Sequence, residues 1–175
     1  MTYQSPAKVN LFLHIISKRD DGYHNLQTIF QLLDYCDELN FDIRNDGKIN
    51  RTQGNENIPL EKDLIIQSAL KLKQLAPSNY GADVGVIKKI PSGGGLGGGS
   101  SNAATTLIAL NKLWDINLPK TKLIELGKEL GADVPVFIDG RSSWAEGTGE
   151  ILSPLSLPRY FYLVVSIKKQ ISTQE

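Results

Sequence analysis

An α+β domain is the fold class this sequence predicts, and three observations predict it. Apolar patterns run as strands, helix, strand, two helices, strands, a grouping that fits α+β better than regular strand-helix alternation. With 41% apolar and 22% charged residues among 175, the chain has the composition of one packed domain with a sizeable core. The third observation is a dense run of glycines held between a predicted strand and a predicted helix.

Taken in order, VNLFLHII (9–16) sets Val9, Leu11, Leu13 and Ile15 on one face and Lys8, Asn10, Phe12 and His14 on the other, which predicts a strand. KRDDGYH (18–24) is turn chemistry, and LQTIFQLL and ELNFDI predict two more strands broken at DYCD (34–37). Asp63 is placed to cap a helix over LIIQSALKLKQLA, with Leu64, Ile65, Ala69, Leu72 and Ala76 as its apolar stripe and Pro77 as its stop. DVGVIKKI (83–90) predicts a strand running into Pro91, and SSNAATTLIALNKLW a helix that starts at Ser100 or Ser101. Pro119 opens a further helix through Leu130, with Leu123, Leu126 and Leu130 at helical spacing. Short strands are expected at 142–145 and 160–166. Residues 1–165 form the predicted domain, and 166–175 the start of a connection to another one, because the chain stops just after a strand-like run with nothing to close the core.

Nineteen Lys+Arg balance nineteen Asp+Glu, so no bulk charge favours nucleic acid or an anionic membrane. The polar start MTYQSPAK and the shortness of the longest apolar stretch, Tyr160–Val165, predict no leader and no span, hence a cytoplasmic protein. Cys36 stands alone, which excludes an internal disulfide, argues against a cysteine-built metal site and reads as a buried thiol.

Six of the sixteen glycines fall between Gly93 and Gly99, interrupted only by Leu96. Glycine lets successive N–H groups converge on one point, and the helix that follows adds unsatisfied donors and a positive dipole end, the combination that cradles phosphate. Ser100 and Ser101 add hydroxyls there. An exposed tether is the plain alternative, and the flanking strand and helix count against it. A Walker A loop requires a lysine that is missing here. Gly93, Gly95 and Gly98 match the dinucleotide-fold spacing, with Asp115 about twenty residues beyond Gly95, yet Asp115 lies between two predicted helices rather than at a strand end. The protein-kinase glycine loop joins two strands and fails too.

PSGGGLGGGSS (91–101) resembles the second motif of the GHMP kinases. SPAKVNLFL (5–13), DGYHNLQTIF (21–30), GADVPVF (131–137) and AEGTGE (145–150) extend the resemblance to the branch that acts on a cytidine-diphosphate-linked methylerythritol. The resemblance implies the GHMP kinase N-terminal fold, ribosomal protein S5 domain 2-like. It also implies transfer of the γ-phosphoryl of ATP to the substrate 2-hydroxyl in the non-mevalonate isoprenoid route.

Residue by residue, the resemblance makes Asp133 the catalytic acidic residue and Lys8 the catalytic lysine: a carboxylate to accept the hydroxyl proton and an ammonium to stabilise developing alkoxide charge. Neither is informative alone, since an Asp after Gly-Ala is otherwise a turn residue and a Lys at a strand start an edge charge. Asn10 is implied to orient the substrate, Tyr23 to stack on the cytosine and His24 to hydrogen-bond it. Pro91, Ser92, Gly93, Gly94, Gly95, Leu96, Gly97, Gly98, Gly99, Ser100 and Ser101 are implied to bind ATP, with Lys88 reaching the nucleotide. Mg²⁺ is expected, with Ser100 or Ser101 as nearest ligand and no carboxylate ligand identified. Asp63 stands where the family carries an adenine-contacting Asn. The small-molecule substrate is the cytidyl alcohol; no nucleic-acid or membrane partner is expected, and self-association is expected through the surface left by the further domain. A weakly active or inactive nucleotide-binding unit, an RNA-binding module disfavoured by the neutral charge, and a GHMP kinase for another alcohol are the alternatives.

Overall fold

The structure, a computed structural model, describes residues 1–165. Two long strands form its spine. β1 (Thr2–Lys18) and β2 (His24–Arg44) pair antiparallel from Thr2↔Asn40 to Lys18↔His24. β2 runs unbroken through DYCD, against the expected break: Ser5 pairs with Asp37 and Pro6 with Cys36, so the backbone of this polar stretch is satisfied by its neighbour. Irregularities between Pro6 and Lys8, Asn10 and Leu13, and Ile15 and Ser17 interrupt the expected alternation of β1, and Leu11, Leu13 and Ile15 lie exposed.

β4 (Gly81–Ile87) pairs antiparallel with β2, β3 (Ile49–Gln53) lies parallel to β4, and β5 (Ser143–Glu146) and β6 (Ile151–Pro154) extend the other side in the order β3-β4-β2-β5-β6. INRTQ carries no apolar alternation, so β3 is made by its pairing and not by its own pattern. Tyr160–Val165, expected as a strand, has no regular structure; Ser166 and the expected connection 166–175 lie outside the described residues.

Among the described residues four α-helices accompany this sheet, the first two against its strands and the last two against the second. α1 (Leu64–Lys73) starts where Asp63 accepts the Ile65 N–H at 2.9 Å and stops short of Pro77. α2 (Gly98–Leu113) starts earlier than expected, inside the glycine run, and is buried on most of its surface. Its far end is tied to β4 by the Trp114 indole N–H, 3.2 Å from the Gly81 carbonyl. α3 (Lys120–Lys128) begins after Pro119, and α4 (Val134–Asp139) is a short helix that starts within GADVPVF and runs two residues past it, which the apolar pattern does not reveal. Leu39, Phe41, Val84 and Val86 of the sheet meet Ile65, Leu72, Leu107 and Leu110 of the helices in one core. Cys36 is half-buried rather than buried; burial first, then the charges of Asp34 and Asp37, push its thiol up, which makes it a poor nucleophile.

Candidate active site

The glycine segment is anchored at three points. Leu96 is buried with Ala7 and Ile90, and its carbonyl accepts the Lys8 N–H at 2.9 Å, so the loop is fastened to β1 at the residue that carries the ammonium. Gly97 caps α2 with φ +71, and a Cβ there would lie 2.8 Å from the Phe137 ring and 3.2 Å from Lys8 Cε. Only glycine fits. Gly98, Gly99 and Ser100 open the helix, and Pro91 through Ser100 line a cavity of about 360 Å³ closed by Asn55, Asp63 and Leu64. A loop of free N–H groups at a helix N-terminus gives this cavity the donors that oxyanions need. A larger cavity of about 1290 Å³, against the 154–164 segment, contains neither Lys8 nor Asp133.

Beside the loop, Lys8 and Asp133 meet, with Nζ 3.2 Å from Oδ2. The lysine side chain is 6% exposed and the carboxylate 33%, so the ammonium is sunk and the acid faces outward. Lys8 also donates to Asn10 Oδ1 at 2.7 Å and stands 5.2 Å over the Phe30 ring, while Asn10 Nδ2 donates to Thr28 Oγ1 at 2.7 Å. That chain of bonds fixes the ammonium and the Asn10 amide together. Local sequence keeps Asp133 free: it occupies the capping position of α4 but makes no capping bond, and Pro135 removes one of the N–H donors that such an aspartate would bind. The carboxylate is therefore left for Lys8 and for whatever enters beside it.

Other expected residues divide. Ser100 borders the cavity and its Oγ would lie 3.7 Å from a Cβ at Gly131, so its hydroxyl stands between the loop and the GADVPVF turn. Ser101 is fully buried and accepts from Ser5 Oγ at 2.8 Å, turned away from the cavity lining. Lys88 borders the cavity, but its ammonium is bonded to Asp37 and to Asn102 Oδ1. Asp63 is committed to the α1 cap, to Arg51 at 2.9 Å and to Asn55. Tyr23 and His24 sit at the tip of the β1–β2 hairpin, exposed, ten residues of strand beyond Lys8, or at most about 33 Å of chain. No described contact joins them to the Lys8–Asp133 pair. The tip itself is ordered by Asp21, which accepts the Tyr23 N–H at 3.0 Å and pairs with Arg19 at 2.9 Å.

Sequence reasoning missed several neighbours. Phe30 and Thr28 surround Lys8 and Asn10, and Phe137 holds Gly97. Within AEGTGE, Gly149 approaches Phe30 and the Ala132 carbonyl, which brings this turn against the Asp133 segment. Burial pushes the Glu150 carboxyl up, but hydrogen bonds from its own N–H and from the hydroxyl and N–H of Thr148 outweigh it and leave the group below its ordinary value. Among the described residues no cluster of three His, Cys, Asp or Glu could hold a metal, and no helix is long and apolar enough to cross a membrane.

The family described as GHMP kinases N terminal domain matches residues 63–141. The chain is 59% identical over 174 residues to the 4-diphosphocytidyl-2-C-methyl-D-erythritol kinase of Ruthia magnifica subsp. Calyptogena magnifica, covering 99% of this chain and 61% of that protein. It is 54% identical over 175 residues to the kinase of the same name from Nitrosococcus oceani, covering 100% of this chain and 62% of that one. A crystal structure of 4-(cytidine 5'-diphospho)-2C-methyl-D-erythritol kinase superposes with a TM-score of 0.78 at 39% identity, over 90% of this chain and 56% of the other. Homoserine kinase from Cytophaga hutchinsonii, with a TM-score of 0.64 at 16% identity over 90% of this chain and 52% of that one, shares the fold. The chain thus spans about three-fifths of the length of the curated relatives it matches.

Proposed function

We propose that this chain, whose residues 63–141 match the GHMP kinases N terminal domain, is the ATP-binding and catalytic part of a cytoplasmic enzyme that phosphorylates the 2-hydroxyl of 4-diphosphocytidyl-2-C-methyl-D-erythritol. The observation that carries this reading is the Lys8–Asp133 pair at 3.2 Å, fastened through Lys8 N–H and Leu96 O to a glycine loop at a helix N-terminus. A proton acceptor, a cation and a phosphate cradle within one cluster are what phosphoryl transfer to an alcohol requires.

In this mechanism Asp133 accepts the proton of the attacking hydroxyl, since its Oδ atoms are free of capping bonds and a third of its side chain is open. Lys8 lies beside the same oxygen and offsets the negative charge that grows on it. Asn10, whose amide is oriented by Lys8 and Thr28, positions the alcohol. The N–H groups of residues 93–100 bind the triphosphate in the 360 Å³ cavity, whose lining also includes Asn55 and Leu64. The resemblance in DGYH assigns Tyr23 and His24, at the exposed hairpin tip, to the cytosine end of the substrate.

Magnesium fits the donor set through Ser100, whose hydroxyl lines the cavity and would hold the ion together with phosphate oxygens and water, whereas Ser101 is spent on Ser5. When bound, the ion neutralises charge on the phosphates. Residues 1–165 are proposed as the catalytic domain. Self-association is part of the same reading, by way of exposed apolar residues such as Leu13 and Ile15, and sedimentation at rising protein concentration checks it.

ADP release is the test of substrate class. It is expected with the cytidyl alcohol and not with mevalonate or homoserine; release with either of those instead would move the assignment to another GHMP kinase.

A further inference from the structure

Asp37 is a carboxylate with no solvent exposure, and the proposed chemistry does not use it. A buried carboxylate is tolerated only when its oxygens are fully bonded. Each of these accepts two hydrogen bonds. Oδ1 takes the N–H of Lys89 at 2.7 Å and of Ile90 at 2.8 Å; Oδ2 takes Asn102 Nδ2 at 3.0 Å and the Lys88 ammonium. Lys88 also donates to Asn102 Oδ1 at 3.0 Å, and Asn102 Nδ2 reaches Ser5 Oγ at 2.9 Å.

The partners are the two ends of one segment. Lys89 and Ile90 immediately precede Pro91, and Asn102 lies in the first turns of α2, so a single carboxylate, seated on β2, ties down the chain where the glycine loop begins and where it ends. Glycines impose little conformational preference of their own, so beyond the anchors at Leu96 and Gly97 nothing within the loop keeps its N–H groups converged. Fixing both ends supplies that order in advance, and donors that need no reorganisation bind an anion more tightly. Lys88 is then the counter-charge of Asp37, its ammonium already held by two partners, and not a grip on the nucleotide.

We infer that Asp37, with Lys88 and Asn102, is a positioning residue for the phosphate loop: it preorganises the N–H donors of residues 93–100 for the triphosphate. The inference rests on the kinase reading. It makes a prediction opposite in sign to one in which Lys88 binds phosphate directly, because there Asp37 competes for the ammonium and its neutralisation frees Lys88 for ATP.

The experiment measures ATP affinity by calorimetric titration, without acceptor and below the melting transition of each variant. Asp37→Asn retains an oxygen for the two backbone N–H groups but turns an NH₂ toward Lys88 and Asn102, and is expected to weaken ATP binding about tenfold while changing KM for the acceptor less than about twofold. Exchanging the pair, Asp37→Asn with Asn102→Asp, returns a carboxylate to Lys88 and a donor to face it, and is expected to restore ATP affinity to within about threefold of wild type. Unchanged or tighter ATP binding by folded Asp37→Asn overturns the inference. Where the single variant does not fold, the exchanged pair decides: affinity near wild type supports the positioning role, and a tenfold loss overturns it. ATP binding without any transfer to the cytidyl alcohol by the wild-type protein would instead strike the kinase reading and leave the loop result standing.

Discussion

Gly97 shows what a single residue decides. Its backbone lies in the left-handed region, and the space where a Cβ would sit is occupied by Phe137 and by the Lys8 side chain, so the α2 start, the α4 packing and the ammonium are set by one missing methyl group. Gly97→Ala is expected to destabilise the fold by about 1–3 kcal/mol and to weaken ATP binding, read from a denaturation curve and a titration on the same sample. Residues of this kind are partly legible in a sequence. The glycine density announces a loop for close approach, but which glycine is indispensable depends on Phe137, forty residues away. Lys8 and Asp133 are ordinary as residue types, and only the motifs around them, each in its familiar order, single them out. Asp37 is the opposite case. An aspartate in DYCD reads as a break, and the groups that explain it lie at Lys88–Ile90 and Asn102, beyond the reach of any local pattern.

The elements follow local chemistry where that chemistry is strong. Asp63 caps α1, Pro119 opens α3, and both helices stand close to where the pattern puts them. Strands are less legible, because pairing can override the chain's own preferences: β2 runs through its polar middle, and β3 exists by its parallel pairing to β4. The β1–β2 hairpin is the element on which the proposed cytosine site rests. Stacking of the kind proposed at its tip would bind ground and transition states alike, so Tyr23→Ala is expected to raise KM for the cytidyl alcohol severalfold with a smaller change in kcat. A fall in kcat alone would remove Tyr23 from the base site. α3 and α4 are joined by Asp139, whose side chain takes Arg141 at 3.0 Å and Lys120 at 3.2 Å. The Arg141 hydrogen bond, opposed by burial and aided by Lys120, holds this carboxyl below the ordinary value. Its stabilisation is therefore complete above an unfolded pKa of about 3.9 and is lost as the pH falls through the lower folded value. The melting temperature of Asp139→Asn is expected to lie below wild type at neutral pH and to converge with it in acid, as the pH falls through the lowered folded value.

At the scale of the molecule, the α+β class was legible from the order of the patterns, and the sheet order and the α4 turn were not, since both depend on contacts between distant segments. What the whole arrangement accomplishes is to bring three stretches, residues 5–13, 91–101 and 131–137, to one place: β1 supplies the ammonium, α2 the anion cradle and the start of α4 the carboxylate. The central claim is that this convergence transfers phosphate to an alcohol with Asp133 as the base. The most direct measurement follows label from γ-labelled ATP into 4-diphosphocytidyl-2-C-methyl-D-erythritol, using wild type and Asp133→Asn side by side, with ATP affinity titrated on both. The account predicts label in the alcohol with wild type, a fall of about 10²- to 10⁴-fold in the variant, and ATP affinities within about twofold of each other. Equal transfer by the two proteins, or ADP released at the same rate without the alcohol, would contradict it.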